Sequence, residues 1–211
     1  MDKENYEVTS DTATEEPLRI PSEIRGSLTI EGFAGQIQFP KKLTVRGSFT
    51  ISRCPHLSEL PDQIDVGGDM IISNCKLLAR FPSKGVIGRS LAIIGCEALR
   101  SLPQGLKIGS SLSVRDCKRF YIFPEGLSIG RNVEISGCPE LVEFPNVLTV
   151  SGFLRICNCE KLEVLPEILT VKDYFRILGC GKLHTVPSEL KVGGELFAPI
   201  WFKSLLGKRL N

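Results

Sequence analysis

The chain repeats itself every 21 residues, and no other feature restricts its fold as tightly. Prolines stand at Pro40, Pro61, Pro82, Pro103, Pro124, Pro145, Pro166 and Pro187, and Cys54, Cys75, Cys96, Cys117, Cys138, Cys159 and Cys180 keep the same step. Between successive prolines runs the pattern P-x-x-L-x-V/I-x-x-x-L-x-I-x-x-C-x-x-L-x-x-L/F-P. Such a period marks a solenoid, in which one copy cannot bury its apolar face alone and must stack on the next. The expected architecture is a mainly-β, parallel solenoid of about 8–9 coils over residues 19–200, with one or two short strands per coil.

Position within the coil gives each residue a role. The fifth, ninth and eleventh residues after proline, such as Val45, Phe49 and Ile51 or Ile129, Val133 and Ile135, alternate with strand period and face inward. Gly47, Gly67, Gly88, Gly109, Gly130 and Gly152 fall between the two short strands, where the expectation is a tight corner that needs glycine's backbone freedom. Asn74, Gly95, Asp116, Gly137, Asn158 and Gly179 precede the cysteines and predict a second, left-handed corner. Arg53 occupies the same position and should be strained or turn differently. Leu57, Leu78, Leu99, Phe120, Leu141, Leu162 and Leu183 return to the core.

The cysteines fit neither a disulfide framework nor a metal site. Spaced 21 apart they form a buried ladder, one thiol per coil, behaving as small hydrophobes. The one close pair, Cys157 and Cys159, lacks zinc spacing and a partner pair. Cys157 is out of register and should face outward. His56 and His184 have no matched acid or nucleophile and read as surface residues. No phosphate loop, Ser/His/Asp arrangement or paired carboxylate site is present, so the chain reads as non-enzymatic, without cofactor or metal.

The ends depart from the repeat. Residues 1–18 hold six acids against one base and little to bury, which reads as a flexible acidic leader. The formal charge of +2 thus conceals a body of about +7. In the cysteine slot Phe33 and Trp201 should cover the two open core ends. Pro199 should blunt the last strand as an edge, and residues 201–211 should form a short amphipathic cap. No apolar run approaches the roughly 18 residues of a membrane span, and the start lacks the plan of a cleaved signal peptide. The expectation is a cytoplasmic protein that does not engage membranes, with export by a non-classical route left open.

The segment Phe49-Thr-Ile51-Ser-Arg-Cys54-Pro-His-Leu57-Ser-Glu-Leu60-Pro61 resembles the leucine-rich repeat, L-x-x-L-x-L-x-x-N/C-x-L. The short unit ending in Leu-Pro is similar to the bacterial kind found in secreted effectors that enter host cells, and the likeness covers about residues 19–200. Cysteine in every complete coil and the extra residues ahead of the main strand depart from that pattern. The effectors also carry helical ligase or other catalytic domains, for which this chain has no room. The resemblance therefore implies a binding surface, in an effector or an inhibitor of another protein, rather than a reaction.

That surface should be the outward face of the main strand, at the eighth, tenth and twelfth residues after proline. In the first half these residues are small and polar, as in Ser48, Thr50 and Ser52. Toward the C-terminus they become Phe153, Arg155 and Cys157, then Tyr174, Arg176 and Leu178, then Glu195, Phe197 and Pro199. Aromatic and arginine side chains in adjacent coils have the composition of a binding hot spot. Phe153, Arg155, Tyr174, Arg176, Leu178 and Phe197 are the candidate partner-binding residues, with a C-terminal segment folded over them as the alternative. The expected partner is another protein, met by a monomer or weak homo-oligomer. Nucleic acid is the competing class, on the strength of scattered Arg and Lys including Lys203, Lys208 and Arg209, but they trace no continuous stripe. Ice or sugar binding by a Ser/Thr face is interrupted by Asp69, Ile71, Arg115 and Glu134.

Overall fold

The computed structural model describes residues 5–9 and 16–209, with side chains as far as residue 207. The chain winds as a parallel β-solenoid of about nine turns. Most coils contribute two four-residue strands, for example Lys42–Val45 with Phe49–Ser52 and Gln63–Val66 with Met70–Ser73. The second strand of each coil joins a ten-stranded parallel main sheet running from Tyr6–Val8 to Leu196–Phe197. Its coils pair in strict register, Leu91 against Leu112 and Ile93 against Val114, so every column of the repeat becomes a column in space.

The inward columns form one continuous core. Phe49, Met70, Leu91, Leu112, Val133, Leu154 and Phe175 are buried in file, and Ile51, Ile72, Ile93, Val114, Ile135, Ile156 and Ile177 in the next. The cysteines stack as expected, buried and reduced from Cys54 to Cys159, with Cys180 half-buried at the end. Each thiol lies within 3.3–3.7 Å of the carbonyl oxygen two residues before it, from Cys54 on Ser52 to Cys180 on Leu178. A small apolar side chain with one weak donor therefore suits the slot. The strand's last carbonyl faces inward there as the chain turns. Arg53 adopts the same left-handed corner as its equivalents, at φ 52°, beside 54° at Asn74 and 53° at Asp116. Without a glycine or a short amide side chain this costs roughly 1–2 kcal/mol, and the Arg53–Glu31 ion pair at 2.6 Å returns part of it.

The glycines between the strands serve a different purpose from the one expected of them. None of Gly47, Gly67, Gly88, Gly109, Gly130 and Gly152 has a positive φ. A Cβ on Gly67, Gly88, Gly109 or Gly130 would instead fall on the carbonyl oxygen of the residue 21 earlier, respectively Arg46, Gly67, Gly88 and Gly109. Close approach of consecutive coils, not backbone freedom, selects glycine there.

The first strands of the coils form a second parallel face in two blocks. Six strands run from Glu23–Ile24 to Ser128–Ile129, and three more comprise Val147–Val150, Ile168–Val171 and Glu189–Val192. The last two strands of the first block are cut to two residues, because Gly105 and Gly126 turn the chain at φ +70° just ahead of them. No ladder joins Ile129 to Val150. A recess of about 430 Å³, lined by residues including Gln104, Phe123, Glu125, Phe144 and Asn146, lies beside this step.

Both ends differ from the sequence expectation. Within the stretch read as a leader, Tyr6–Val8 adds an outermost strand to the main sheet, pairing Tyr6 with Leu28 and Val8 with Ile30. Its apolar side chains alternate about Glu7 and pack against the core. Residues 1–4 and 10–15 of that stretch lie outside the described residues. At the N-terminal end Phe33 does occupy the cysteine slot, buried at the head of the ladder. At the C-terminal end the strand stops at Phe197, before Pro199. Pro199 instead opens the helix Ile200–Arg209, its carbonyl accepting from the Phe202 and Lys203 N–H groups at 3.1 and 3.2 Å. The helix shifts the phase of the repeat, so Phe202 fills the core end, edge-on to Phe175 at 6.4 Å, while Trp201 stays partly exposed. Ile200 and Leu205 are exposed too, so the cap is not cleanly amphipathic. Among the described residues no helix is long and apolar enough to cross a membrane.

Candidate functional site

The outer face of the main sheet divides where its eighth-position column changes chemistry. Up to Asn132 that column is polar, and four of its side chains act on the backbone of the next coil. The side-chain oxygens of Ser27, Ser48 and Asp69 accept from the N–H of Ser48, Asp69 and Ser90 in the next coil at 3.1, 3.2 and 2.9 Å. Asn132 does the same for Phe153 at 3.1 Å. These side chains close the corner between the two strands of each coil. Phe153 and Tyr174 bring rings into the column instead, and Glu195 follows them.

Phe153 and Tyr174 stack face to face, centroids 4.9 Å apart and 10° from parallel. Tyr174 meets Phe197 edge-on at 6.1 Å and 84°. Strict parallel pairing produces the Phe153–Tyr174 stack, since equivalent positions one coil apart lie at about the 4.8 Å strand spacing, which is ring-stacking distance. Phe197 reaches Tyr174 from the neighbouring column, where it pairs with Arg176. Phe197 remains 38% exposed.

In the neighbouring tenth-position column lie Glu134, Arg155 and Arg176, paired in register and followed by Phe197. Glu134 is clasped from both sides. Arg115 Nη2 donates to its Oε2 at 2.6 Å and Arg155 Nη1 to its Oε1 at 3.4 Å. The Cys157 side chain and then Glu134 push the Arg155 guanidinium further up, keeping it charged. Arg176 has no such acid among the described residues. Its Nε is buried with no hydrogen-bond partner. Arg155, Asp173, Tyr174, Arg176, Glu195 and Phe197 together line an open recess of about 460 Å³.

Five of the six candidate residues thus come together: Phe153, Tyr174 and Phe197 as the aromatic row, Arg155 and Arg176 beside it. Leu178 lies in the twelfth-position column against Cys157, half-buried and away from the recess lining. None of the described residues of the C-terminal helix lines the recess; the helix closes the core end instead. Asp173 and Glu195 belong to the recess; from the sequence Glu195 reads as an outward residue but not a candidate, and Asp173 is not singled out. His56 and His184 are exposed. Among the described residues no group of three or more His, Cys, Asp or Glu side chains converges.

Burial makes the middle of the thiol ladder hard to ionise. Cys96 and Cys117 are pushed up to about 12, by burial first and by the next thiol second, and Cys138 to about 11 by burial. At each end a thiol pair splits. Cys159 is raised chiefly by its hydrogen bond with Cys180, and Cys180 is lowered by the same bond; Cys54 and Cys75 behave alike.

These coils define an architectural class, the mainly-β parallel repeat solenoid. Comparison with models of known families, with curated protein sequences and with solved structures finds no match.

Proposed function

We propose that the chain is a non-enzymatic protein-binding module that docks its partner on the C-terminal part of the main sheet's outer face. The observation that carries this reading is the accessible row Phe153–Tyr174–Phe197 flanked by Arg155 and Arg176. Rings already stacked on one another lose little freedom on binding, and Tyr, Phe and Arg dominate the energetic centres of protein interfaces. The resemblance to short bacterial leucine-rich repeats supports the same reading, including a role as an effector or as an inhibitor of another protein. The distribution of charge favours protein over nucleic acid. Arg46, Arg53, Arg89, Lys118 and Lys161 each pair with an acid from an adjacent coil, leaving little continuous positive potential for a phosphate backbone.

The test is quantitative affinity capture with the wild-type chain, with the triple variant Phe153→Ala/Tyr174→Ala/Arg176→Ala, and with a control altered at Thr29 and Thr50 on the same face. A partner retained by wild type and control but lost by the triple variant, at an unchanged melting temperature, is the expected result. Equal capture by all three overturns the reading.

A further inference from the structure

Resting on that reading, the geometry points to the chemistry of what the recess accepts. We propose that it takes an extended segment of the partner protein, carrying an acidic side chain for Arg176 and, two residues away, a basic side chain for Asp173 and Glu195.

Arg176 supplies the first half. Arg53, Arg89, Arg115 and Arg155, on the same face or its corners, each have an acid from another coil. Arg176 has none among the described residues, and its Nε is buried without an acceptor while the side chain lines an open recess. A desolvated charged donor left unpaired is costly. An acceptor arriving from outside removes that cost, and the guanidinium fork matches a carboxylate or a phosphate. The surrounding charge selects between them. Asp173 and Glu195 border the same recess, and Glu134 already engages Arg155. A phosphate dianion would meet two carboxylates with one uncommitted arginine, whereas a single carboxylate meets that arginine without excess charge.

Asp173 and Glu195 supply the second half. Among the described residues neither has an ion-pair partner, although bases such as Lys172 and Lys191 are near in sequence, and both border the recess beside Tyr174 and Phe197. Glu195 sits in the eighth-position column of the last coil and Arg176 in the tenth of the coil before it. They are offset by two residues along the strand, roughly 6.6 Å, and by one strand spacing, roughly 4.8 Å, a diagonal of about 8 Å. An extended peptide presents side chains to one side at roughly 6.6 Å, and lying obliquely across the two coils it leaves Tyr174 and Phe197 to pack on the aliphatic stems between. Long acidic and basic side chains at i and i+2 therefore span the recess.

The probe is a displayed random peptide library selected on the full chain. The expected outcome is enrichment of peptides with Asp or Glu two residues from Lys or Arg. Arg176→Gln should weaken their binding at least tenfold. Glu195→Lys, an exposed change that spares the core, should switch the preference at the basic position to an acid. Selected peptides that need Phe153 and Tyr174 but are indifferent to Arg176 overturn this proposal and leave the protein-binding reading standing. Phosphopeptides displacing the selected peptides more strongly than their glutamate counterparts would also overturn it. A selection in which no binder depends on this face sinks both.

Discussion

Raising the pH should unfold this protein through its thiol ladder. Cys96, Cys117 and Cys138 are buried, and the fold moves them from an ordinary value of 9.0 to about 12, 12 and 11. A raised thiol keeps its proton in the folded state after the unfolded chain has lost it. The stabilisation is complete below the unfolded value and drains away as pH climbs toward the folded one. Each such proton is worth about 1.4 kcal/mol per pH unit. By pH 10 the three thiols together remove about 4 kcal/mol relative to neutral pH, a large part of the 5–15 kcal/mol of a typical domain. Cys54 and Cys159, also raised, add in the same direction. Cys75 and Cys180 are lowered and act in the opposite sense until the unfolded thiols have ionised, at about pH 10, offsetting part of what Cys54 and Cys159 add. The assay is urea denaturation under reducing, oxygen-free conditions at half-unit steps from pH 7 to 10.5, for the wild type and for Cys117→Ala. Stability should hold to about pH 8.5 and then fall steeply, with Cys117→Ala falling less steeply by one proton. A flat profile to pH 10, or one indifferent to Cys117, refutes the argument.

Two further substitutions separate coil stacking from local conformation. Gly109→Ala puts a Cβ on the Gly88 carbonyl oxygen and should cost more than about 2 kcal/mol in urea unfolding, while Gly181→Ala, with open space around it, should change stability by less than about 0.5 kcal/mol. Phe202→Ala should cost about 3–5 kcal/mol by uncovering the core end, and Trp201→Ala under 1.5, as thermal melts of the two will show.

The sequence made the coils legible because their chemistry is periodic and local. Val45, Phe49 and Ile51 announce inward strands, Asn74 and Asp116 a left-handed corner, and Cys96 above Cys117 a ladder, each from its own neighbourhood. What escaped depends on atoms one coil away or on a change of phase. The contact that demands glycine at Gly109 is a carbonyl 21 residues earlier, so it leaves no local mark distinguishable from a turn. Counting 21 from Cys180 lands on Trp201, but the helix advances the chain by a different rise and brings Phe202 to the slot. Tyr6 pairs with Leu28, an offset of 22, so the outermost strand carries no repeat signature. At the recess, periodicity placed the aromatic and arginine columns correctly. That Arg155 is claimed by Glu134 while Arg176 is unclaimed depends on side-chain directions the pattern does not specify.

The missing ladder between Ile129 and Val150 bears on how the whole rod can move. In a stack held together only between neighbours, a junction bonded on one side and at its corners is the softest joint. Bending should gather at that seam more than elsewhere, within the limit set by the unbroken main-sheet ladder of Val133–Ser136 on Leu154–Cys157, so that two stiffer arms meet there. Phe153, Tyr174, Arg176 and Phe197 all ride on the C-terminal arm. On the proposed reading, a partner that grips them alone touches one side of the seam, whereas one long enough to cross it would stiffen the rod.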